Sequence, residues 1–258
     1  MNKVIAVCNQ KGGVGKTTTC VNLAAALAVM EKKVLVVDMD PQSNATQGLG
    51  LDGPFEETIY EALLLAEAEA KPERISNFIK KSDLPFLDIF PCSHALAGFE
   101  IEIIQQENRE RRLSRVLKAL NGKYDYVLVD SPPSLNMLTV NVLTAADSVL
   151  IPIQCEYYAL QGLAELLNSI RRVQQSSNPN LSIEGALLTM YDSRLNLSKQ
   201  VAEDVQATFS EKVFKTIIPR SVKLSEAPSF GKPIILYDVV STGAIRYMEL
   251  AKEIVDHE

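Results

Sequence analysis

Cys8-Asn9-Gln10-Lys11-Gly12-Gly13-Val14-Gly15-Lys16-Thr17-Thr18 stands between a β-branched run, Lys3–Cys8, and an Ala/Leu-rich stretch from Lys16 to Met30. A strand that ends in a glycine-rich turn and opens a helix is built to hold an anion. Gly12, Gly13 and Gly15 let the backbone curl so that successive N–H groups point inward. The helix starting near Lys16 adds its positive dipole end. Lys16 is placed to reach β/γ-phosphates, and the Thr17 hydroxyl is placed to ligate Mg2+. Thr18 and the Val14 backbone complete the loop. The strict pattern G-x-x-x-x-G-K-[ST] is not met, because Gln10 occupies the first glycine position. A second lysine, Lys11, opens the loop instead. A flexible glycine turn would explain neither lysine.

Working outward, Val34-Leu-Val-Val and Val127-Leu-Val are continuous apolar runs rather than alternating ones. Strands covered on both faces read this way. Strands are predicted over Lys3–Cys8, Lys33–Asp38, Leu87–Phe90, Tyr126–Asp130, Ser148–Ile153 and Ser182–Thr189. Helices are predicted over Lys16–Met30 and Glu56–Glu69. A third carries Leu160, Leu163, Leu167, Ile170 and Val173 at helical spacing. A longer helix is predicted to carry Ile101, Ile104, Leu113, Val116, Leu117 and Leu120 around the charged Arg109–Arg112. This alternation predicts a single α/β domain over 1–258, with a doubly wound, mostly parallel sheet under helices on both faces. Two strands end in carboxylates, at Asp38-Met39-Asp40 and at Asp130-Ser131-Pro132-Pro133. Ligands bind at the C-terminal strand ends of such sheets. Mg2+ held by Thr17, and by waters on Asp38 or Asp130, fits a small cation that keeps much of its hydration.

Composition narrows the function. Lys plus Arg is 26 and Asp plus Glu is 32, a net charge of −6, so a nucleic-acid contact would need a local patch. No apolar run reaches the roughly 18 residues of a membrane span. Met1-Asn2-Lys3 leads straight into the first strand, which predicts no export leader and a cytoplasmic setting. Cys8, Cys20, Cys92 and Cys155 form no C-x-x-C pair and are expected as reduced thiols. His94 and His257 are the only histidines, too few for a His-built metal site or a Ser-His-Asp triad. Phosphoryl transfer still remains open, because it needs placement and charge neutralisation more than covalent help.

The loop resembles the deviant Walker A motif of the MinD/ParA group of P-loop ATPases. Other stretches resemble the chromosomal ParA/Soj branch: Asp40-Pro-Gln-Ser-Asn-Ala-Thr-Gln-Gly-Leu-Gly50, Asp130-Ser-Pro-Pro-Ser-Leu135, Pro152-Ile-Gln-Cys-Glu-Tyr-Tyr-Ala-Leu-Gln-Gly162 and Pro219-Arg-Ser-Val-Lys-Leu-Ser-Glu-Ala-Pro228. The resemblance implies an ATPase that uses ATP and Mg2+. Lys11 would reach across a homodimer to the partner's nucleotide, Asp40 would position the attacking water, and Asp130 would support the metal. Pro219 and Ser221 would border the adenine, although many relatives carry Asn where Ser221 stands. The ATP-bound sandwich dimer would bind double-stranded DNA without sequence preference and associate with the nucleoid. A ParB-like (Spo0J-like) centromere-binding protein would stimulate hydrolysis and release.

In Soj-like proteins, arginines at the positions matching Arg194 and Lys223 look like DNA contacts. From Ala186 to Arg246 there are eight basic and six acidic residues, a local excess of +2. A MinD-like membrane ATPase would need a basic amphipathic C-terminal helix. The tail Arg246–Glu258 has two basic and four acidic residues. A reductase like the nitrogenase iron protein would need a second cysteine after the Asp130 strand, and Ser131-Pro-Pro133 offers none. An amide-ligase relative would need a metabolite pocket that the sequence does not locate.

Overall fold

A computed structural model describes residues 3–65, 70–156 and 162–256. In chain order the elements are β1 (Lys3–Val7), α1 (Lys16–Val29), β2 (Val34–Asp38), α2 (Asn44–Gly48), α3 (Ile59–Leu64), α4 (Pro72–Phe78), β3 (Lys80–Lys81), β4 (Leu87–Phe90), α5 (Phe99–Glu102), α6 (Arg112–Lys118), β5 (Tyr126–Asp130) and α7 (Met137–Ala145). There follow β6 (Ser148–Gln154), α8 (Leu163–Ser176), β7 (Ser182–Thr189), α9 (Asn196–Phe209), α10 (Val222–Glu226), α11 (Ile234–Tyr237) and α12 (Thr242–Asp256). The strands form one seven-stranded sheet in the order β3-β4-β2-β5-β1-β6-β7. Every pairing is parallel except that of the two-residue β3 with β4.

The continuous apolar runs feed two cores at once. Val4, Ala6, Leu35, Val37, Val127 and Val129 enter the core under α3 and α5–α8. Ile5, Val7, Val34, Val36, Tyr126 and Leu128 enter the opposite core, with α1 and α12. Successive strand residues point to opposite faces, so a run without polar interruption is what two covered faces require. Helix α1 is buried nearly all round because it lies between the sheet and α12. The register brings Asp38 beside Asp130, and Val7 beside Asp130, so both carboxylate strands end next to the phosphate loop.

The six predicted strands are present within a residue of their expected ends. The predicted longer helix through Ile101–Leu120 is not. It is broken into α5, a 3-10 turn at Arg109–Arg111 and α6. Asn108 adopts a left-handed φ of 54° that no helix continues through. Ile101 and Ile104, which set up the helical spacing, are exposed. The predicted Glu56–Glu69 helix is represented by α3, whose start is fixed by a reciprocal box. Thr58 Oγ1 accepts from the Tyr60 N–H at 3.3 Å, and Glu61 Oε2 accepts from the Thr58 N–H at 2.7 Å. Residues 66–69 of that stretch, Tyr157–Gln161 of the Pro152–Gly162 string (Leu160 included), and His257 and Glu258 of the tail lie outside the described residues.

Candidate nucleotide site

The loop between β1 and α1 is held open by three side chains that tie its backbone down from outside. Asn9 Oδ1 accepts from the Lys11 N–H at 3.0 Å, while Asn9 Nδ2 donates to the Pro152 carbonyl at 2.7 Å. Thr189 Oγ1, at the end of β7, donates to the Val14 carbonyl at 2.8 Å. Ser131 Oγ donates to the Val7 carbonyl at 2.9 Å. Gly13 and Gly15 have φ of 75° and 89°, where a side chain would be strained. At Gly12, Gly13 and Gly15 no protein atom lies within 4 Å of where a Cβ would stand. The loop therefore encloses open space.

Charge converges on that space. The Lys16 ammonium donates to the Lys11 carbonyl at 3.0 Å and is buried. Burial pulls its pKa below the ordinary lysine value, and the opposite charges of Asp130 and Asp40 work against that shift. Thr17 Oγ1 donates to Asp130 Oδ2 at 2.7 Å. Asp130 Oδ1 is buried without a hydrogen-bond partner. Burial, and then the nearby Asp38 charge, push the Asp130 carboxyl well above the usual range. A carboxylate left this way is incomplete, and a cation would complete it.

Asp38 is arranged differently. Its Oδ1 accepts from the Asp40 N–H at 3.2 Å, and its Oδ2 accepts from both the N–H (2.9 Å) and the hydroxyl (2.7 Å) of Thr46. Burial pushes this carboxyl up to about 6, with the Thr46 bonds opposing the rise. Asp40 is buried, and its Oδ1 accepts from the Gln42 N–H at 3.0 Å. No group of three or more His, Cys, Asp or Glu among the described residues could cage a metal. The donor set is thus one hydroxyl and one carboxylate with a spare oxygen, the sparse kind that suits a hydrated Mg2+. Lys11 differs from Lys16. Its ammonium lies 4.0 Å from Glu156 Oε2, while Glu156 Oε1 accepts from Arg220 at 3.0 Å.

Two cavities flank the loop. One, of about 250 Å³, is lined by Gly15, Thr18, Met190, Pro219, Ser221 and Tyr247, among others. The other, of about 270 Å³, lies against Thr17, Thr18, Asn22, Asn44, Gln47 and Lys232. Pro219 and Ser221 therefore do border a space that opens from the phosphate loop. Arg194 and Lys223 lie farther out on neighbouring segments. A parallel bridge between Tyr191 and Pro219 joins the loop after β7 to the chain leading into α10. All four cysteines are free and buried. Burial pushes the Cys8 thiol up to about 12 and the Cys155 thiol to about 11, so they pack as small core residues.

Three contributors carry no local signal that singles them out. Thr46 fixes Asp38. Thr189 fixes the loop carbonyl. Tyr247 of α12 meets Thr19 Oγ1 at 3.2 Å across 228 residues of sequence. Each depends on a contact between distant stretches of chain. Helix α12 itself buries Ala244, Tyr247, Leu250, Ala251 and Ile254 against α1 and its surroundings. No helix among the described residues is long and apolar enough to cross a membrane.

The chain matches an AAA domain family over residues 2–183. It is 54% identical over 255 residues to the sporulation initiation inhibitor protein Soj of Bacillus subtilis, covering 98% of both chains. It is 50% identical to the chromosome partitioning protein ParA of Myxococcus xanthus, covering 100% of this chain and 89% of that one. The structure superposes on cobyrinic acid a,c-diamide synthase of Mycobacterium smegmatis, solved with an ATP analogue and magnesium. There the TM-score is 0.86 and the identity 38%, over 100% of this chain and 96% of the other. Loop, carboxylate strands and full-length identity agree, and the chain belongs to the ParA/Soj family of chromosome-partitioning ATPases.

Proposed function

We propose that this chain is an ATP-dependent dimeric switch for DNA segregation. It binds ATP with Mg2+ in the loop between β1 and α1, dimerises face to face, holds duplex DNA without sequence preference, and lets go when a ParB-like partner triggers hydrolysis. The observation that carries the reading is the convergence of Lys16, Thr17 and the half-partnered Asp130 on an open loop whose other lysine, Lys11, is instead paired loosely with Glu156.

Each residue has a role that its position supports. The loop N–H groups and Lys16 neutralise the phosphates. Thr17 and Asp130 would hold Mg2+, which would supply charge neutralisation to the phosphates. Asp38, with both oxygens engaged, would act through water or by holding α2 in place. Asp40 orients the attacking water. Pro219 and Ser221 border the base. Among the described residues Lys11 has a loose ion pair with Glu156 to leave when it crosses to a partner's phosphates, and two facing triphosphates would repel without such a crossing. Dimerisation doubles the basic surface around Arg194 and Lys223, so duplex affinity rises through avidity alone.

Two rival readings are weaker. A MinD-like membrane ATPase would need a free amphipathic tail, yet the apolar face of α12 is spent against α1. The mycobacterial neighbour is described as an amide-forming enzyme, so product analysis matters. A segregation ATPase releases ADP and phosphate with no modified metabolite. The deciding experiment measures duplex mobility and particle size with ATP, ADP and no nucleotide at two salt concentrations. A chain that stays monomeric with Mg2+ and a non-cleavable ATP analogue refutes the proposal.

A further inference from the structure

The two residues expected to meet DNA are already engaged by carboxylates of their own chain. The Arg194 guanidinium grips Asp192 fork to fork, with Nε to Oδ1 at 2.9 Å and Nη2 to Oδ2 at 2.6 Å. The Arg194 backbone N–H donates to the same Oδ1 at 3.0 Å, so the loop itself sets the carboxylate's position. That loop is anchored by Tyr191 N–H to Ile218 carbonyl at 3.2 Å and Leu195 N–H to Asp192 carbonyl at 3.1 Å. The Asp192 side chain is only 17% exposed whereas that of Arg194 is 86% exposed, so the guanidinium lies over a seated acid. Lys223 shows a looser version. It lies 3.9 Å from Asp238 and 5.6 Å from the Tyr237 ring centroid. A carboxylate offers a guanidinium the same planar pair of oxygens as a phosphodiester does.

We propose that Asp192 is an internal phosphate mimic: it holds Arg194 while no duplex is bound, and a DNA phosphate must displace it to make the contact. This rests on the duplex-binding reading above and extends it to a residue that opposes binding. When Arg194 moves to DNA, its ion pair with Asp192 must break, and salt screens that pair as well as the phosphate contact, so the salt dependence of this contact is partly offset. A lone anion in solution must also beat a two-pronged bond within the chain, whereas a duplex already anchored by a second subunit does so with help. While Arg194 is in place, its hydrogen bonds hold the Asp192 carboxyl down at about 2, and a released carboxyl with an ordinary value of about 4 is still ionised at neutral pH. Arg220 is the other cation that faces it, and Arg220 is itself tied to Glu156.

The test measures binding of a fluorescent non-specific duplex by the full chain across a series of salt concentrations, with Mg2+ and a non-cleavable ATP analogue. Asp192→Asn is expected to tighten binding on the order of fivefold at low salt and to steepen the log–log salt slope, by less than the roughly 0.9 that a whole added phosphate contact would give. Asp238→Asn is expected to gain less, because its ion pair is looser. Glu165→Gln removes one negative charge from the exposed face of α8 and is expected to change neither quantity. Adding Arg194→Ala to Asp192→Asn is expected to erase the gain. The proposal falls if Asp192→Asn, with dimer and melting temperature intact, matches wild type in affinity and slope. It falls equally if Glu165→Gln reproduces the gain, since that would be a general charge effect. If wild type shows no nucleotide-dependent duplex binding, the duplex reading fails and takes this proposal with it. If wild type binds and only the Asp192→Asn gain is missing, the duplex reading stands.

Discussion

Replacing Thr46 with Val removes one hydroxyl from the interior and keeps the side-chain shape. That hydroxyl donates to Asp38 Oδ2 at 2.7 Å and accepts from the Cys92 N–H at 3.1 Å. The loss has two parts. A hydrogen bond to an ionised carboxylate contributes about 2 kcal/mol, and an orphaned buried N–H costs about 1 kcal/mol, so the total is about 3 kcal/mol. For a chain of this length that is a fall in Tm of about 6 °C. The sign of the pH dependence follows from Asp38. Its carboxyl sits at about 6 in the folded chain, above the ordinary value. The stability tied to this group is therefore complete at acid pH and declines as pH rises through that value. Without the Thr46 hydroxyl the charged form is worse off, so the carboxyl rises further and the decline deepens. The Val variant should lose most at pH 8 and least at pH 5. Thr46→Ser keeps the hydroxyl and should lie close to wild type at both. Thermal denaturation of the nucleotide-free protein at the two pH values is the assay. A Thr46→Val melt within a degree of wild type at pH 8, or a deficit larger at pH 5 than at pH 8, would refute this account of how Asp38 is held.

Three further outcomes are expected. Lys16→Ala should weaken ATP binding by at least about 100-fold by calorimetry, because the one buried ammonium in the loop is gone; unchanged affinity would count against the loop assignment. Asp40→Ala should retain ATP but stall hydrolysis and accumulate as a dimer on sizing with Mg2+, and a monomer peak would contradict the role given to it. Lys223→Ala should weaken duplex binding with the ATP-induced dimer intact and flatten the salt slope by roughly 0.9 per subunit; an unaltered slope removes Lys223 from the patch.

Much of this was legible because its chemistry is local. Glycine and lysine spacing within Lys11–Thr18 defines a phosphate loop wherever it falls, and apolar runs such as Val34–Val37 reveal a sheet covered twice. The parts that escaped depend on distance or on burial from all sides. Helix α7 is buried around most of its circumference, so its sequence carries no stripe to read, and its start at Asn136 is marked by a single cap to the Thr139 N–H. Helix α9 begins amid exposed Leu195 and Leu197, which blur its buried face of Val201, Val205 and Phe209. The break at Asn108 went the other way, because two exposed isoleucines imitated a core stripe. In the site, Asp38 and Asp130 look interchangeable as strand-end carboxylates. Only the fold shows that Thr46 occupies one while the other keeps an oxygen free.

The place of β1 in the sheet bears on how the protein is made. The strand leading into the phosphate loop precedes both of its sheet neighbours, β5 and β6, in the chain, and the pocket beside the loop is finished by Met190, Pro219 and Tyr247. Until β5 is made, β1 is thus an apolar strand without either of its partners. The pocket walls around Pro219 and Tyr247 also lie far along the chain from the loop they complete. Long-range closure is thus built into the fold, in which α12 packs against α1.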